Sequence, residues 1–127
     1  MTLVVDASAM AAILFGEPDG STIAAHIDGE TLLAPELIDY ELANVGWKKI
    51  RRHPDRQGEL TAAMSGWTHL AITRVRVPVA DIVTLAVDTG LSAYDASYLW
   101  LALTRDVELV TLDERLARVN QSLREKH

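Results

Sequence analysis

The chain contains no cysteine, which excludes disulfides and zinc sites built on thiolates. Phenylalanine occurs once, and no apolar run approaches the length of a membrane-spanning helix. No basic segment followed by an apolar one marks a secretory signal in this sequence. We therefore expect a protein of the cytoplasm that makes no contact with a membrane.

Positive charge is also scarce: 18 acidic residues face 12 lysines and arginines, which leaves a net charge of −6. That balance argues against non-specific binding of nucleic acid by the surface as a whole. Segment 44–60 is the exception, because it holds five basic residues and two acidic ones. The segment carries +3 and the rest of the chain −9, so any nucleic-acid contact is expected at the segment.

Apolar residues make up 49% of the 127 positions, which suits one domain over residues 1–127. Short aliphatic segments, which we predict as strands, lie at 3–5, 31–34, 72–77 and 108–111. Helical patterns lie at 7–15, 21–28, 35–52, 55–70, 78–90 and 92–105 and from 113 onward, with Pro35 suited to the first position of its helix. This alternation predicts an α/β domain with a parallel, helix-covered sheet. The third strand alternates charged with aliphatic residues and is expected at a sheet edge.

Four acidic residues are candidates for a site, and three of them stand where such a sheet would bind ligands. Asp6 and Asp113 follow strands directly, and Glu41 lies in the helix after the second strand. The carboxyl ends of parallel strands share one edge, which brings these three together. Asp95 begins a helix after a turn, and its position is less well determined.

Each acid also has a structural interpretation. Asp6 and Asp113 suit helix N-caps, and Asp95 suits an acidic variant of the capping box that Ser92 would begin. Glu41 would be a solvated helix acid, although its neighbours on the helical wheel are aliphatic. Taken singly, Asp6, Asp95 and Asp113 leave capping and chemistry equally open, whereas the aliphatic neighbours of Glu41 already disfavour a solvated acid. The joint placement of the four acids is more informative than any one of them and favours a site.

A cluster of four carboxylates would need a counter-charge. At separations of ~5 Å and an effective dielectric of ~20, each pair repels by roughly 3 kcal/mol. Six pairs would cost on the order of 15–20 kcal/mol, against a typical domain stability of about 5–15 kcal/mol. Oxygen ligands without cysteine point to Mg²⁺ or Mn²⁺, and such an ion suits phosphoryl chemistry.

Four motifs contain these acids in order: VVDASA at 4–9, PE at 35–36 with YELANV at 40–45, LSAYDASY at 91–98, and LVTLDERL at 109–116. At these motifs the sequence resembles the PIN-domain family, and within it the VapC toxins of prokaryotic toxin–antitoxin pairs. The resemblance covers nearly the whole chain. It implies a three-layer α/β domain with a parallel sheet in the order 3-2-1-4, with a fifth strand in some members. It also implies a Mg²⁺-dependent endoribonuclease, with Mn²⁺ as a substitute, that forms a homodimer and is inhibited by an antitoxin protein.

The resemblance also assigns roles to residues. Asp6 and Asp95 would be the principal metal ligands, while Glu41 and Asp113 would hold a second ion or orient waters. Ser8 and Thr111 match small hydroxyl positions that bond the acids or the substrate, or are simply polar residues at element ends. The histidines, which show no ligand spacing, are expected at the surface: His26, His53, His69 and His127.

The basic segment supplies the candidate RNA contacts, namely Lys48, Lys49, Arg51 and Arg52. As a clamp they would bind the RNA backbone, and as a solvated helix end they would only complement the helix dipole. Two other functions compete with a nuclease. A phosphatase with an aspartyl nucleophile would need a second Asp where this chain has Ser8. A non-catalytic PIN-like module that binds RNA or protein would not need four intact acids.

Overall fold

The four aliphatic segments pair into one parallel sheet in the computed structural model, which describes residues 1–126. The strands are β1 (Thr2–Val5), β2 (Thr31–Pro35), β3 (Ile72–Val75) and β4 (Glu108–Val110). Their order is β3-β2-β1-β4, so the first strand is central and the third lies at an edge. The predicted order is confirmed, and this part of the chain forms no fifth strand.

Helices cover the sheet and complete the three layers. They are α1 (Ala7–Leu14), α2 (Gly20–Ile27), α3 (Ile38–Arg52), α4 (Gln57–Ser65), α5 (Val79–Thr89), α6 (Ala93–Arg105) and α7 (Glu114–Glu125). Because both faces of the sheet are covered, the interior positions of β1 are almost wholly buried. Among residues 1–126, no helix is long and apolar enough to cross a membrane. The C-terminal His127 lies outside the described residues.

Pro35 ends β2 and does not begin a helix, contrary to the prediction from the sequence. The β1 side of β2 pairs only as far as Leu33, whereas the β3 side continues to Pro35, which lies opposite Val75. At Pro35 the strand therefore has one neighbour, and a residue without an N–H is tolerated there. The predicted strand at 72–77 also ends two residues early, where its partner runs out.

The helix predicted over 55–70 is broken into three pieces. A short 3₁₀ helix, Pro54–Arg56, precedes α4, and a second one, Gly66–His69, follows it. The second 3₁₀ helix carries Trp67, which is buried, and its indole N–H donates to a carboxylate oxygen of Asp39 at 2.6 Å. Trp67 therefore packs the second 3₁₀ helix against α3.

Candidate active site

Asp6 lies at the carboxyl end of β1 and is 5% exposed. One carboxylate oxygen accepts from the Ser8 hydroxyl at 2.7 Å and from the Ala9 N–H at 3.0 Å, and the other accepts from the Thr111 hydroxyl. The Ala9 contact makes Asp6 the N-cap of α1, so the capping interpretation is confirmed. Burial raises the pKa of Asp6 and so does the charge of Asp95, whereas the three hydrogen bonds lower it.

Glu41 lies in the first turn of α3 and is half-buried. One of its carboxylate oxygens accepts from the Tyr98 hydroxyl at 2.6 Å, a contact between α3 and α6. Burial raises the pKa of Glu41, and the Tyr98 hydrogen bond opposes this. The charges of Asp95 and Asp6 raise the pKa of Glu41 further. Glu41, which follows β2, therefore lies near Asp6, which follows β1.

Asp95 lies in the first turn of α6, one turn before Tyr98. Its N–H donates to the Ser92 hydroxyl at 3.1 Å, so Ser92 is the N-cap of the helix as the sequence suggested. Burial raises the pKa of Asp95, the charge of Asp113 adds to this, and Arg115 opposes it. Because Asp95 also acts on the pKa values of Asp6 and Glu41, the structure places it with them.

Asp113 occupies the rim of this group. Its carboxylate accepts from the Leu116 N–H at 3.0 Å and caps α7. Its own N–H donates to the Thr111 hydroxyl at 3.0 Å, and the Leu112 N–H donates to the Ser8 hydroxyl at 3.0 Å. Ser8 and Thr111 therefore connect the ends of β1 and β4 and orient Asp6, which agrees with their hydrogen-bonding interpretation.

The donor set suits a hard divalent cation, because it consists of carboxylate oxygens. The charge of Asp95 raises the pKa of Asp6 and Glu41, and the charge of Asp113 raises that of Asp95, so negative charge is concentrated here. Yet within residues 1–126 no three Asp, Glu or His side chains are already arranged to hold a metal ion. The ligands fit such a cation by chemical type and by their location at one edge of the sheet.

The basic segment divides into a free part and a paired part. Lys48, Arg51 and Arg52 line an open cavity of about 350 Å³ together with Trp47, whose ring lies 4.7 Å from the Arg51 guanidinium. Lys49 instead forms an ion pair with Glu17 at 2.9 Å and lies over the ring of Phe15. Three of the four proposed RNA contacts therefore share a surface, and Lys49 is held elsewhere.

Two residues of the site were missed by reasoning from the sequence. Tyr98 binds Glu41, and Arg115 opposes the charge around Asp95 while donating to the Gly90 carbonyl at 2.6 Å. A tyrosine three positions after Asp95 faces the same side of α6, and an arginine two positions after Asp113 lies near the same edge. Those spacings were the available signals, but core tyrosines and surface arginines show the same spacing.

Together these features define a class of protein: an α/β domain whose parallel sheet carries a carboxylate cluster at the carboxyl ends of its central strands. The chain belongs to the PIN-domain family, since the PIN domain matches residues 3–121.

Named relatives cover almost the whole chain. Ribonuclease VapC9 of Mycobacterium tuberculosis is 36% identical over 122 residues, which span 94% of this chain and 92% of that protein. Ribonuclease VapC3 of Pyrobaculum aerophilum is 34% identical and spans 92% of this chain and 93% of its own length. The crystal structure of PAE2754 from Pyrobaculum aerophilum superposes with a TM-score of 0.67 at 27% identity, covering 94% of this chain and 87% of that one.

Proposed function

We propose that the protein is a Mg²⁺-dependent endoribonuclease, the toxin of a VapBC-type toxin–antitoxin pair, that hydrolyses RNA phosphodiester bonds. One observation carries the proposal: three acids from separate elements lie together at one edge of the sheet, since Tyr98, one turn after Asp95, hydrogen-bonds Glu41, and the charge of Asp95 raises the pKa of both Asp6 and Glu41. Carboxylates that lie close together repel one another, so another interaction must offset the repulsion. A divalent cation bound between them would do so and could also bind a phosphate of the substrate. The ribonuclease names of the two relatives support the choice of RNA.

In this proposal the acids have different roles. Asp6 and Asp95 would be the principal ligands of the ion, as the resemblance implies. Three hydrogen bonds orient Asp6, and the charge of Asp95 acts on both Asp6 and Glu41, which supports this assignment. Glu41, positioned by Tyr98, and Asp113, whose charge acts on Asp95, would hold a second ion or orient the attacking water. Such an ion would supply Lewis acidity at the phosphate and would lower the pKa of a water.

The resemblance to the PIN-domain family implies which bond of the phosphodiester breaks. The oxygen of water bonds to phosphorus, the bond from phosphorus to the 3′ oxygen breaks, and that oxygen leaves as a hydroxyl after taking up a proton. A 5′-phosphate and a 3′-hydroxyl result. A mechanism that used the 2′-hydroxyl of the RNA as nucleophile would leave a cyclic phosphate instead.

The proposal extends to partners. We assign the protein a cognate antitoxin and a homodimeric state, both of which the VapC resemblance implies, and an activity in the cytoplasm. Lys48, Arg51 and Arg52 provide the contact with the RNA backbone, supported by their exposure on one surface beside Trp47.

Cleavage of a circular single-stranded RNA tests the enzyme proposal, because a circle has no end for an exonuclease. The parent protein should open the circle in Mg²⁺, leave 5′-phosphate and 3′-hydroxyl ends, and be inactive in excess EDTA. Asp95→Asn should lower the rate by at least about a hundredfold, since a bound cation supplies several kcal/mol of charge stabilisation.

Asp81→Asn is the matched control, because Asp81 is an exposed acid on α5 outside the cluster. It should cleave as the parent does. Full activity in EDTA would exclude the metal mechanism. RNA binding without any cleavage, by freshly folded parent protein in Mg²⁺, would instead identify a non-catalytic PIN-like module.

A further inference from the structure

Two tyrosines beside the acid cluster are exposed. Tyr40 directly precedes Glu41 and is 79% exposed, and Tyr94 directly precedes Asp95 and is 65% exposed. The third tyrosine, Tyr98, is buried against the same group. Large exposed aromatic side chains are uncommon away from binding surfaces, and here each one neighbours a proposed catalytic acid.

Both exposed tyrosines line one open cavity of about 430 Å³. Its remaining lining residues are Leu37, Glu41, Asn44 and Lys48. The last three recur at spacings of three and four along α3 and so lie on one face of the helix. Because Glu41 belongs to both the cavity and the acid cluster, the cavity opens directly beside the proposed site of cleavage.

The lining matches the parts of an unpaired nucleotide. Tyrosine rings present flat faces on which a base stacks. The amide of Asn44 both donates and accepts, as the edge of a base requires, and the ammonium group of Lys48 suits a phosphate. A groove for an apolar protein helix would be lined mainly by aliphatic side chains, and Leu37 is the one aliphatic residue in this lining.

We propose that this cavity is a base-binding subsite, in which one unpaired base of the RNA, next to the cleaved phosphate, stacks on Tyr40 and Tyr94. The proposal rests on the nuclease function above and specifies its substrate: the RNA must be unpaired beside the cut. Lys48 lines the neighbouring basic cavity as well, so the RNA backbone continues from the subsite along α3 toward Arg51 and Arg52.

An abasic scan tests the subsite. The probe is a short single-stranded RNA that the parent protein cleaves at one mapped position, with each nucleotide around the cut replaced in turn by an abasic one. Binding is measured with Asp6→Asn protein, which should hold the RNA intact. One abasic position adjacent to the cut should weaken binding by about 5- to 100-fold, the contribution of one stacked base.

The tyrosine variants link that position to the cavity. In the Asp6→Asn background, Tyr40→Leu or Tyr94→Leu should weaken binding of intact RNA and abolish the difference between intact and abasic RNA at that position. Tyr40→Phe and Tyr94→Phe keep the aromatic face and should retain the difference. Trp47→Leu is the control, since Trp47 is exposed on the same helix but lies outside this cavity, and it should leave the difference unchanged.

The outcomes separate the two proposals. Cleavage by the parent without a position-specific effect of the base, or with the same effect in the leucine variants, overturns the subsite and leaves the nuclease intact. Leucine variants that bind RNA normally but lose a co-expressed antitoxin identify a protein-docking cavity, which also overturns it. If the parent cleaves no RNA, the nuclease proposal fails and the subsite with it.

Discussion

At the scale of the residue, Glu41 is subject to opposing effects. Burial and the charges of Asp95 and Asp6 raise its pKa, while the hydrogen bond from Tyr98 favours the ionised form. The net direction is upward, so ionised Glu41 destabilises the metal-free fold at neutral pH. A cation bound between the acids would reverse that sign.

Glu41→Gln keeps the side-chain shape and still accepts from Tyr98, but it removes the charge. We expect RNA cleavage to be strongly reduced while the metal-free protein gains about 1 kcal/mol in unfolding free energy at pH 7.5, a usual size for one residue. Since the folded-state pKa lies above the ordinary value of 4.5, the folded parent takes up the proton first on acidification. The gain should therefore shrink as pH falls through the raised pKa and vanish below about 4.5.

Urea denaturation in EDTA at several pH values measures this difference. Glu36→Gln is the control, because Glu36 is an exposed acid just before α3, and its substitution should change stability little. A Glu41→Gln protein that is less stable than the parent in EDTA would mean that the hydrogen bond from Tyr98 to the carboxylate outweighs burial. Glu41 would then be a structural residue and a poor candidate for the metal site.

The sequence identified the acids and the two hydroxyl residues that orient Asp6, but not Tyr98, which binds Glu41. An acid that follows a strand is conspicuous because charge next to a buried strand needs an explanation. Tyr98 sits among Ala96, Leu99 and Leu101, and nothing in that apolar pattern separates a core tyrosine from one that also binds Glu41. The difference depends on a contact between α3 and α6, which sequence spacing within one helix does not contain.

At the scale of the element, α3 connects the acid cluster to the basic surface. Glu41 lies in its first turn and Arg51 and Arg52 in its last, so acids and cations also complement the helix dipole. The dipole explains the sign of the charges at each end. It does not explain why Lys48, Arg51 and Arg52 share one cavity with an exposed tryptophan.

Replacing Lys48, Arg51 and Arg52 together with Gln tests the RNA contact. We expect weaker binding to single-stranded RNA and a smaller salt dependence, by about 0.7 per lost phosphate contact and so about two in total. Affinity measured at several salt concentrations gives the slope. Lys49→Gln is the matched control on the same helix, because Lys49 is paired with Glu17 and should contribute little to the slope.

An unchanged slope in the triple variant would show that this end of α3 is a solvated helix end, or that it serves a protein partner.

Element order and type were predictable here because aliphatic strands and amphipathic helices differ in period. The predicted ends of strands and helices were wrong where one residue type suits two kinds of element. Pro35 suits a helix start by propensity, yet it ends strand β2. It is tolerated there because the pairing of β2 with β1 stops at Leu33, while the pairing with β3 continues to Pro35. Such pairing is a property of the sheet as a whole.

At the scale of the whole molecule, the order of the strands brings the proposed acidic ligands to one site. The order β3-β2-β1-β4 places the ends of β1, β2 and β4 side by side, and each is followed by a proposed ligand. The sheet order came from the family resemblance, because alternation of strands and helices predicts a parallel sheet without fixing its order. Neither the strand order nor the resemblance establishes the ion that these acids would bind.

Direct measurement of Mn²⁺ binding by electron paramagnetic resonance tests this claim without requiring an RNA substrate. The folded parent protein should bind Mn²⁺ in competition with Mg²⁺, and Asp6→Asn and Asp95→Asn should each weaken binding by at least about tenfold, as loss of groups that build a metal site does. Asp81→Asn should bind as the parent does. A folded parent that retains no Mn²⁺ at millimolar concentration, or variants that retain it equally well, would contradict the assignment of these carboxylates to a metal site.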